Sequence, residues 1–227
     1  ALGYGDEAMH GGIRPVGPGA GVVGGAPKLL AAGIYPRPAD PYAMEIEAIA
    51  KDPQAKAMGE RMFLTYCSQC HGSDARGARG YPNLADNDWL WGGEPQAILT
   101  TILDGRNGMM PPMGAAVGGA EGVKEVANYV LSLSGAQHDA KLAEAGKAKF
   151  AACAACHGPE AKGNPALGAP NLTDKTWLHG GSLATISETI DKGRSNLMPA
   201  HKDFLGPERS RLIAAYVWGL SQPSGAK

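Results

Sequence analysis

The chain contains the pattern Cys-x-x-Cys-His twice, at residues 67–71 and 153–157, and the two copies use all four of its cysteines. This pattern is the attachment motif of a c-type haem. The two thiols bond to the haem vinyl groups, and the adjacent His supplies an axial nitrogen to the iron. Two complete motifs with no spare cysteine favour this interpretation over a zinc site or a redox-active Cys-x-x-Cys pair. We therefore predict two covalently attached haem c groups. The predicted attachment residues are Cys67, Cys70, His71, Cys153, Cys156 and His157.

The surroundings of the two motifs are also duplicated. The first cysteines lie 86 positions apart, and beyond a two-residue insertion the match continues at a shift of 88. At that shift Trp89 corresponds to Trp177, and Asn83-Leu84 corresponds to Asn171-Leu172. Two repeats of this size, each with its own cofactor, indicate two tandem domains rather than a solenoid. We place a Gly/Pro-rich leader at residues 1–42, the first domain at residues 43–134 and the second at residues 140–227.

Each repeat has the same predicted layout of helices. A first helix runs into the Cys-x-x-Cys-His motif, a short helix follows in the middle, and an apolar helix closes the repeat. The predicted ranges are 52–66, 97–104 and 123–132 in the first repeat, and 140–152, 183–191 and 209–221 in the second. A Gly and a Phe lie four residues apart on each first helix, at Gly59/Phe63 and Gly146/Phe150. We expect them to pack against Tyr129 and Tyr216, so that the first and last helices clamp each domain around its haem.

The sixth iron ligand decides what such a protein can do. Met110 and Met198 lie at matching positions, each followed by Pro, which favours extended backbone. A thioether on such a segment can reach the distal face of an iron, and Met/His ligation suits an electron carrier. In the first repeat Met109 and Met113 are alternatives, and the match with Met198 selects Met110. Each Met is expected to serve the haem of its own domain, although crossed pairing between domains is the alternative.

Two further pairs of residues match between the repeats. Arg106 and Arg194 are candidates to bind haem propionates, because a guanidinium pairs with carboxylates. The indole N–H groups of Trp89 and Trp177 are candidates for the same role, with core packing as the alternative.

Composition limits the remaining possibilities. The 227 residues carry a net charge of −1, which gives no indication of nucleic-acid binding. Gly (33) and Pro (17) are abundant and Phe (3) is rare, as expected of small loop-rich domains built around a cofactor. The sequence predicts no transmembrane helix. Because haem is attached covalently outside the cytoplasm, we expect an exported, periplasmic chain.

Residues 67–77, 82–90, 105–112, 169–174 and 198–206 resemble the di-haem cytochrome c subunit of cbb(3)-type haem–copper oxidases. The resemblance extends over about residues 42–222. It implies an all-α fold of two tandem class I cytochrome c domains, each wrapped round one covalent haem. It also implies six-coordinate irons with ligands at His71, His157, Met110 and Met198. In that family a transmembrane helix precedes the haem domains, whereas this sequence has the Gly/Pro-rich leader. We expect a soluble relative that has lost the anchor, and the alternatives are a subunit attached to a different enzyme by its leader and a chain whose anchor has been cleaved.

The sequence thus predicts a periplasmic di-haem electron-transfer protein rather than an enzyme. It would act as a free carrier or as the electron-entry subunit of a respiratory complex. The expected partners are a donor cytochrome or quinol-oxidising complex and an acceptor oxidase or other enzyme. The alternative is a di-haem peroxidase or sulfur-compound dehydrogenase acting at one haem.

Overall fold

The computed structural model describes residues 45–222, and the predicted leader, residues 1–42, lies outside the described residues. Within that range the chain forms nine helices and two short strands. The helices, in chain order, are α1 Ile46–Lys51, α2 Pro53–Tyr66, α3 Ser68–His71, α4 Pro95–Asp104, α5 Gly119–Leu133, α6 Ala140–Lys149, α7 Ala151–His157, α8 Leu183–Lys192 and α9 Lys202–Leu220. The strands are β1 Arg106–Met110 and β2 Arg194–Met198. The predicted helical class is confirmed, and the small sheet is an addition to it.

The helix that leads into each motif begins at an aspartate cap. The Asp52 carboxylate accepts hydrogen bonds from the backbone N–H groups of Gln54 (2.9 Å) and Ala55 (2.8 Å), and Pro53 occupies the first helical position. Asp139 caps α6 in the same way. These caps satisfy backbone donors that have no partner inside the helix. Each repeat therefore fixes the start of its haem-bearing helix by local chemistry alone.

The two strands pair antiparallel across the repeats. Arg106 lies opposite Met198, Gly108 opposite Asn196, and Met110 opposite Arg194. Gly108 and Asn196 are equivalent positions in the duplicated sequence, and they form the centre of the sheet. An approximate two-fold axis that relates the repeats therefore passes through this pair.

The last helix of each repeat packs on the other repeat. Helix α9 contacts α1, α2 and α4, whereas α5 contacts α6 and α8. We call α1–α4 with α9 lobe 1, and α6–α8 with α5 lobe 2. The expected clamp within each repeat is therefore wrong, because each lobe is closed by the helix of the other repeat. The division at residues 43–134 and 140–227 describes the sequence repeats and not the packed units.

The small and aromatic residues singled out in the sequence make these crossings. In lobe 1, Gly59 on α2 faces the backbone of Leu212 and the Cβ of Tyr216 on α9. The ring centroids of Phe63 and Tyr216 are 5.4 Å apart. Because Gly59 has no side chain, the two helices approach closely, and the rings fill the space beside the crossing.

Lobe 2 repeats this arrangement with equivalent residues. Gly146 on α6 faces the backbone of Glu125 and Val126 on α5. The rings of Tyr129 and Phe150 lie 5.3 Å apart, edge to face. The residue types were thus predicted correctly, but their partners were not.

The short connection between the repeats explains why the last helix of each repeat packs on the other repeat. Only residues 134–139 separate α5 from α6, and helices joined by so short a loop pack as an antiparallel hairpin. The buried Asn128 side chain locks this hairpin, since its Oδ1 accepts from the Asp139 backbone N–H (2.8 Å) and its Nδ2 donates to the Lys124 carbonyl (2.8 Å). Lys149 and Glu125 add an ion pair. With α5 packed on lobe 2, α9 covers the equivalent face of lobe 1.

We predict that Gly59→Ala lowers the free energy of unfolding by about 1–3 kcal/mol, because its Cβ would overlap the Leu212 carbonyl oxygen at the crossing. Chemical denaturation followed by helical circular dichroism measures this change. Gly219→Ala is the matched control, since a Cβ there meets no atom within 4 Å and helical Gly→Ala is neutral or stabilising. Equal stability of the Gly59→Ala variant and the native protein would show that α2 and α9 do not cross closely.

Candidate haem centres

Each Cys-x-x-Cys-His motif lies on a helical turn that brings its reactive groups together. The backbone N–H of His71 donates to the Cys67 carbonyl at 3.0 Å, as in a helix. Residues three and four apart share one helical face, so Cys67, Cys70 and His71 project to the same side. In lobe 2 the motif forms the end of α7. The local fold therefore presents two thiols and one imidazole on one side of the helical turn in each lobe.

Both motif histidines are buried and oriented by a backbone carbonyl. The Nδ1–H of His71 donates to the Pro82 carbonyl (3.1 Å), and that of His157 donates to the Pro170 carbonyl (3.0 Å). The other nitrogen, Nε2, then carries the lone pair that binds a metal. Burial also lowers the pKa of His71, which keeps its imidazole neutral. Sequence reasoning did not assign the two prolines, although Pro82-Asn83-Leu84 and Pro170-Asn171-Leu172 match.

The environment of the thiols disfavours thiolate chemistry. Burial, with a contribution from nearby Cys70, raises the pKa of Cys67 to about 11. Burial likewise raises the pKa of Cys153. Redox-active cysteines have a lowered pKa instead. The sites thus fit neutral, covalently bonded sulfur, as in a haem thioether.

The strands separate the three methionines of the first repeat. Alternate strand residues face opposite sides, and in β1 the half-buried positions are Arg106, Gly108 and Met110. Met109 faces outward and is 69% exposed. The Met113 side chain packs against the core of lobe 2. Of the two methionines on β1, only Met110 faces inward, and Met198 is equivalent to it on β2.

Each inward methionine lies in the lobe of the other repeat. Met110 packs against the lobe 2 core that contains Cys153, Ile186 and Ile190. The segment after it is fixed there, since the Met113 backbone N–H donates to the Ile190 carbonyl (2.8 Å). The structure therefore brings Met110 to the lobe of His157, contrary to the expected pairing within each repeat.

Met198 lies correspondingly in lobe 1. Gly105 ends α4 at a φ of 71°, and a Cβ there would overlap the backbone of residues 198–200. The His201 backbone N–H donates to the Ile102 carbonyl (3.0 Å). The charge of His201 also contributes to the lowered pKa of His71. Met198 thus belongs to the lobe of His71.

The two matching arginines are held symmetrically by matching threonines. Arg106 Nε donates to Thr101 Oγ1, and Arg194 Nε donates to Thr189 Oγ1, both at 2.9 Å. Their remaining contacts differ. The Arg106 guanidinium lies 5.0 Å from the ring centroid of Trp91, whereas Arg194 pairs with Glu188 at 3.4 Å and lowers the pKa of that carboxyl. Binding of propionates by either arginine stays a prediction.

The matching tryptophans pack over matching glycines. A Cβ at Gly93 would overlap the Trp89 indole, and one at Gly181 would overlap the Trp177 indole. Trp177 also packs against the lobe 2 core. The core-packing role is therefore present at least for Trp177, and a hydrogen bond from either indole to a propionate stays a prediction.

The loops that follow the motifs meet at the two-fold axis. They border a cleft of about 730 Å³ between residues 76–90 and 162–185. Asp88 and Thr176, which are equivalent positions, join across it at 2.7 Å. The Gly80 backbone N–H donates to the Leu178 carbonyl (2.7 Å), and Arg79 Nε donates to the His179 carbonyl (3.0 Å). The two lobes are therefore joined at two places, by the hydrogen bonds between these loops and by the pairing of β1 with β2.

Comparison with known proteins now identifies the family. The family model described as "Cytochrome C oxidase, cbb3-type, subunit III" matches the chain twice, at residues 54–130 and 141–217. The chain belongs to this family. The resemblance noted in the sequence and the predicted tandem cytochrome c domains are thereby confirmed.

Individual relatives carry the same description. The Cbb3-type cytochrome c oxidase subunit CcoP of Rubrivivax gelatinosus is 59% identical over 178 residues, covering 78% of this chain and 59% of the relative. The subunit FixP of Bradyrhizobium sp. (strain ORS 278) is 46% identical over 188 residues, covering 76% and 64%. The subunit CcoP of Cereibacter sphaeroides is 44% identical over 191 residues, covering 78% and 66%. The chain thus spans about three fifths to two thirds of the length of these relatives.

The cofactor follows from the motifs and the family together. Two Cys-x-x-Cys-His motifs lie in two cbb3-type cytochrome domains, and each domain binds one haem c covalently. The buried, oriented histidines and the paired thiols fit this group. Among the helices between residues 45 and 222, none combines the length and apolar character needed to cross a bilayer.

Proposed function

We propose that this chain relays electrons between redox partners through two six-coordinate haem c groups. The observation that carries the proposal is the ligand set of each lobe, which has a buried, oriented histidine and an inward methionine. When bound, each haem c supplies a one-electron iron couple, whose potential Met/His ligation raises. With both axial positions occupied by protein side chains, no open position remains for a substrate. The protein then determines the reduction potential, the solvent exposure and the separation of the two haems. None of its residues forms or breaks a covalent bond of a substrate.

We propose that the acceptor is a cbb3-type oxidase, to which this chain would belong as an electron-entry subunit. The names of the relatives support this assignment over that of a free carrier. A periplasmic location of the haem lobes accords with covalent haem attachment outside the cytoplasm. The donor would be a soluble cytochrome or a quinol-oxidising complex.

We further propose that the axial ligands are crossed between the repeats. His71 and Met198 would serve the haem of lobe 1, and His157 and Met110 the haem of lobe 2. The packing of Met110 against the lobe 2 core and the hydrogen bond from the His201 backbone N–H to the Ile102 carbonyl support this pairing. Both sixth ligands would then depend on one two-stranded sheet.

Crossed ligation is tested in a protein that keeps only the lobe 1 haem, through Cys153→Ser and Cys156→Ser. In that background we expect Met198→Ala to abolish the remaining Met–iron absorption band, because Met198 supplies its sulfur. Met110→Ala is the matched control and should retain the band. The reverse result would establish pairing within each repeat. If removal of a haem unfolds lobe 2, proton NMR of the intact reduced protein decides, since the iron-bound Met110 methyl should contact Ile186.

The electron-transfer proposal predicts slow reaction with carbon monoxide. The native reduced protein should bind it slowly or not at all, because methionine occupies each sixth position. Met110→Ala and Met198→Ala should each open one iron and bind one equivalent rapidly. Absorption spectra recorded after mixing give both results. Rapid binding by the native protein would contradict six-coordination and favour the enzyme alternative.

Membership of an oxidase predicts co-purification. When an affinity-tagged chain is purified from mildly solubilised native membranes, haem–copper oxidase activity should elute with it. Membranes with the untagged chain provide the control for non-specific binding. Elution of the intact di-haem chain without oxidase activity would assign it to the free carriers instead.

A further inference from the structure

The two lobes cross their helices at the equivalent glycines Gly59 and Gly146 and differ at the surface beside the haem attachment. Tyr66 immediately precedes Cys67 and is 42% exposed, and Phe204 follows Met198 by six residues and is 54% exposed. The equivalent residues of lobe 2 are Ala152 and Ala116, both exposed. One copy of a duplicated surface thus carries large exposed rings where the other carries methyl groups.

The exposed rings of lobe 1 form one continuous surface. Tyr66 and Phe204 meet edge to face with ring centroids 5.7 Å apart. Phe204 also contacts the His201 ring at 5.2 Å. We call Tyr66, His201 and Phe204 the aromatic rim. Along the chain it includes the residue before the covalent attachment and residues that follow the proposed sixth ligand of lobe 1.

Packing within the lobe does not account for the rim. Alanine occupies both equivalent positions in lobe 2, where Gly146 again lies at a close helix crossing. His201 also has an apolar counterpart, Met113, which packs into the lobe 2 core. Aromatic side chains are enriched where proteins contact one another, because they bury a large area with little loss of side-chain freedom.

We propose that the aromatic rim is the docking site of the electron donor, a small redox protein whose exposed metal-centre edge is surrounded by uncharged residues. This inference rests on the proposed electron-transfer function and assigns electron entry to lobe 1. One electron passes from the reduced metal of the donor, which is oxidised, to the ferric iron of lobe 1, which becomes ferrous. No bond forms or breaks, and no proton is required.

The charges beside the rim define the chemistry of the occupant. Lys202, next to His201, pairs with Asp104 at 3.3 Å, so these two opposite charges largely neutralise each other. Asp203 lies on the same turn, so these three side chains together leave one net negative charge and no cluster of one sign. A partner selected by charge would need a cluster of one sign. The rim instead complements an uncharged surface.

The size of the rim favours a transient partner over a second copy of the chain. Fully buried aromatic side chains each remove about 150–250 Å² from water. Since the two exposed rings are about half buried already, they offer on the order of 200 Å² together. Stable interfaces bury roughly 1,200–2,000 Å², whereas electron-transfer encounters lie at the low end of the range.

The test compares the rim with exposed apolar residues of the second repeat in the full di-haem chain. Tyr66→Ala combined with Phe204→Ala gives lobe 1 the surface of lobe 2. Leu167→Ala combined with Leu183→Ala is the matched control, since these residues are 50% and 40% exposed. The first probe is a reduced mono-haem cytochrome c whose surface around the haem edge is uncharged. The second probe is a lysine-rich cytochrome c. NMR titration measures the dissociation constant, and stopped-flow absorption measures the bimolecular rate.

We expect the rim variant to bind the uncharged cytochrome about tenfold or more weakly, with a matching fall in rate. The control should stay within about twofold of the native protein, and salt should change the native rate little. If the double variant loses its haem spectrum, Phe204→Gln alone applies the same test at an exposed position.

Native affinity in the rim variant, or an equal loss in the control, would overturn the proposal. So would tighter native binding of the lysine-rich cytochrome than of the uncharged one. Loss of a concentration-dependent dimer in the rim variant, seen by sedimentation, would assign the rim to a second copy instead. Reduction by hexaammineruthenium(II) is measured for every variant, since it needs no docking. Failure of that reagent to reduce both haems would contradict the electron-transfer proposal, independently of the rim.

Discussion

The antiparallel pairing of β1 with β2 sets how the two repeats combine into lobes. Met110 and Met198 lie at opposite ends of this short sheet, each opposite an arginine of the other repeat. Because the strands cross the two-fold axis, the chain that leaves each strand enters the other lobe, where its helix completes the core. The exchange of α5 and α9 and the position of both inward methionines follow from the same crossing. A substitution in the sheet therefore affects both lobes. Each lobe is closed by the last helix of the other repeat.

Duplication makes the differences between the lobes informative. Positions that build a haem crevice are the same in both, such as the carbonyls of Pro82 and Pro170 that orient the histidines. Differences are concentrated on exposed positions and at the axis, where Trp91 of the first repeat corresponds to His179 of the second. The Nε2 of His179 accepts a hydrogen bond from the side-chain amide of Asn196 at the sheet centre. Burial and the charges of Arg194 and Arg79 lower the pKa of His179. Trp91 and His179 thus make the two repeats chemically different beside the sheet.

Much of the fold was accessible from the sequence because its signals are local. Caps such as Asp52 and the spacing of apolar residues determined where helices begin and which face they bury. The attachment motif defined three haem contacts per lobe within five residues, and the Met-Pro pairs correctly predicted extended segments. Which strand pairs with which, and in what register, depends in contrast on contacts between residues that lie far apart in the sequence. The sheet went unpredicted because β1 and β2 are short, and neither shows the alternation of a half-buried strand strongly enough to identify its partner.

Covalent and coordination chemistry demands particular side chains at fixed spacing, so the number of haem groups, the residues that attach them and the candidate ligands could all be predicted from the residue pattern. Which helix closes which lobe, and which methionine lies in the lobe of which histidine, depends instead on contacts between distant segments of the folded chain. The physical reason is that the repeats are chemically equivalent, so Gly59 could accept either Tyr129 or Tyr216 across a helix crossing. The six-residue connection between α5 and α6 and the pairing of β1 with β2 remove that ambiguity. The short connection and the strand pairing are both features of the folded chain, and they cannot be inferred from the residue types alone.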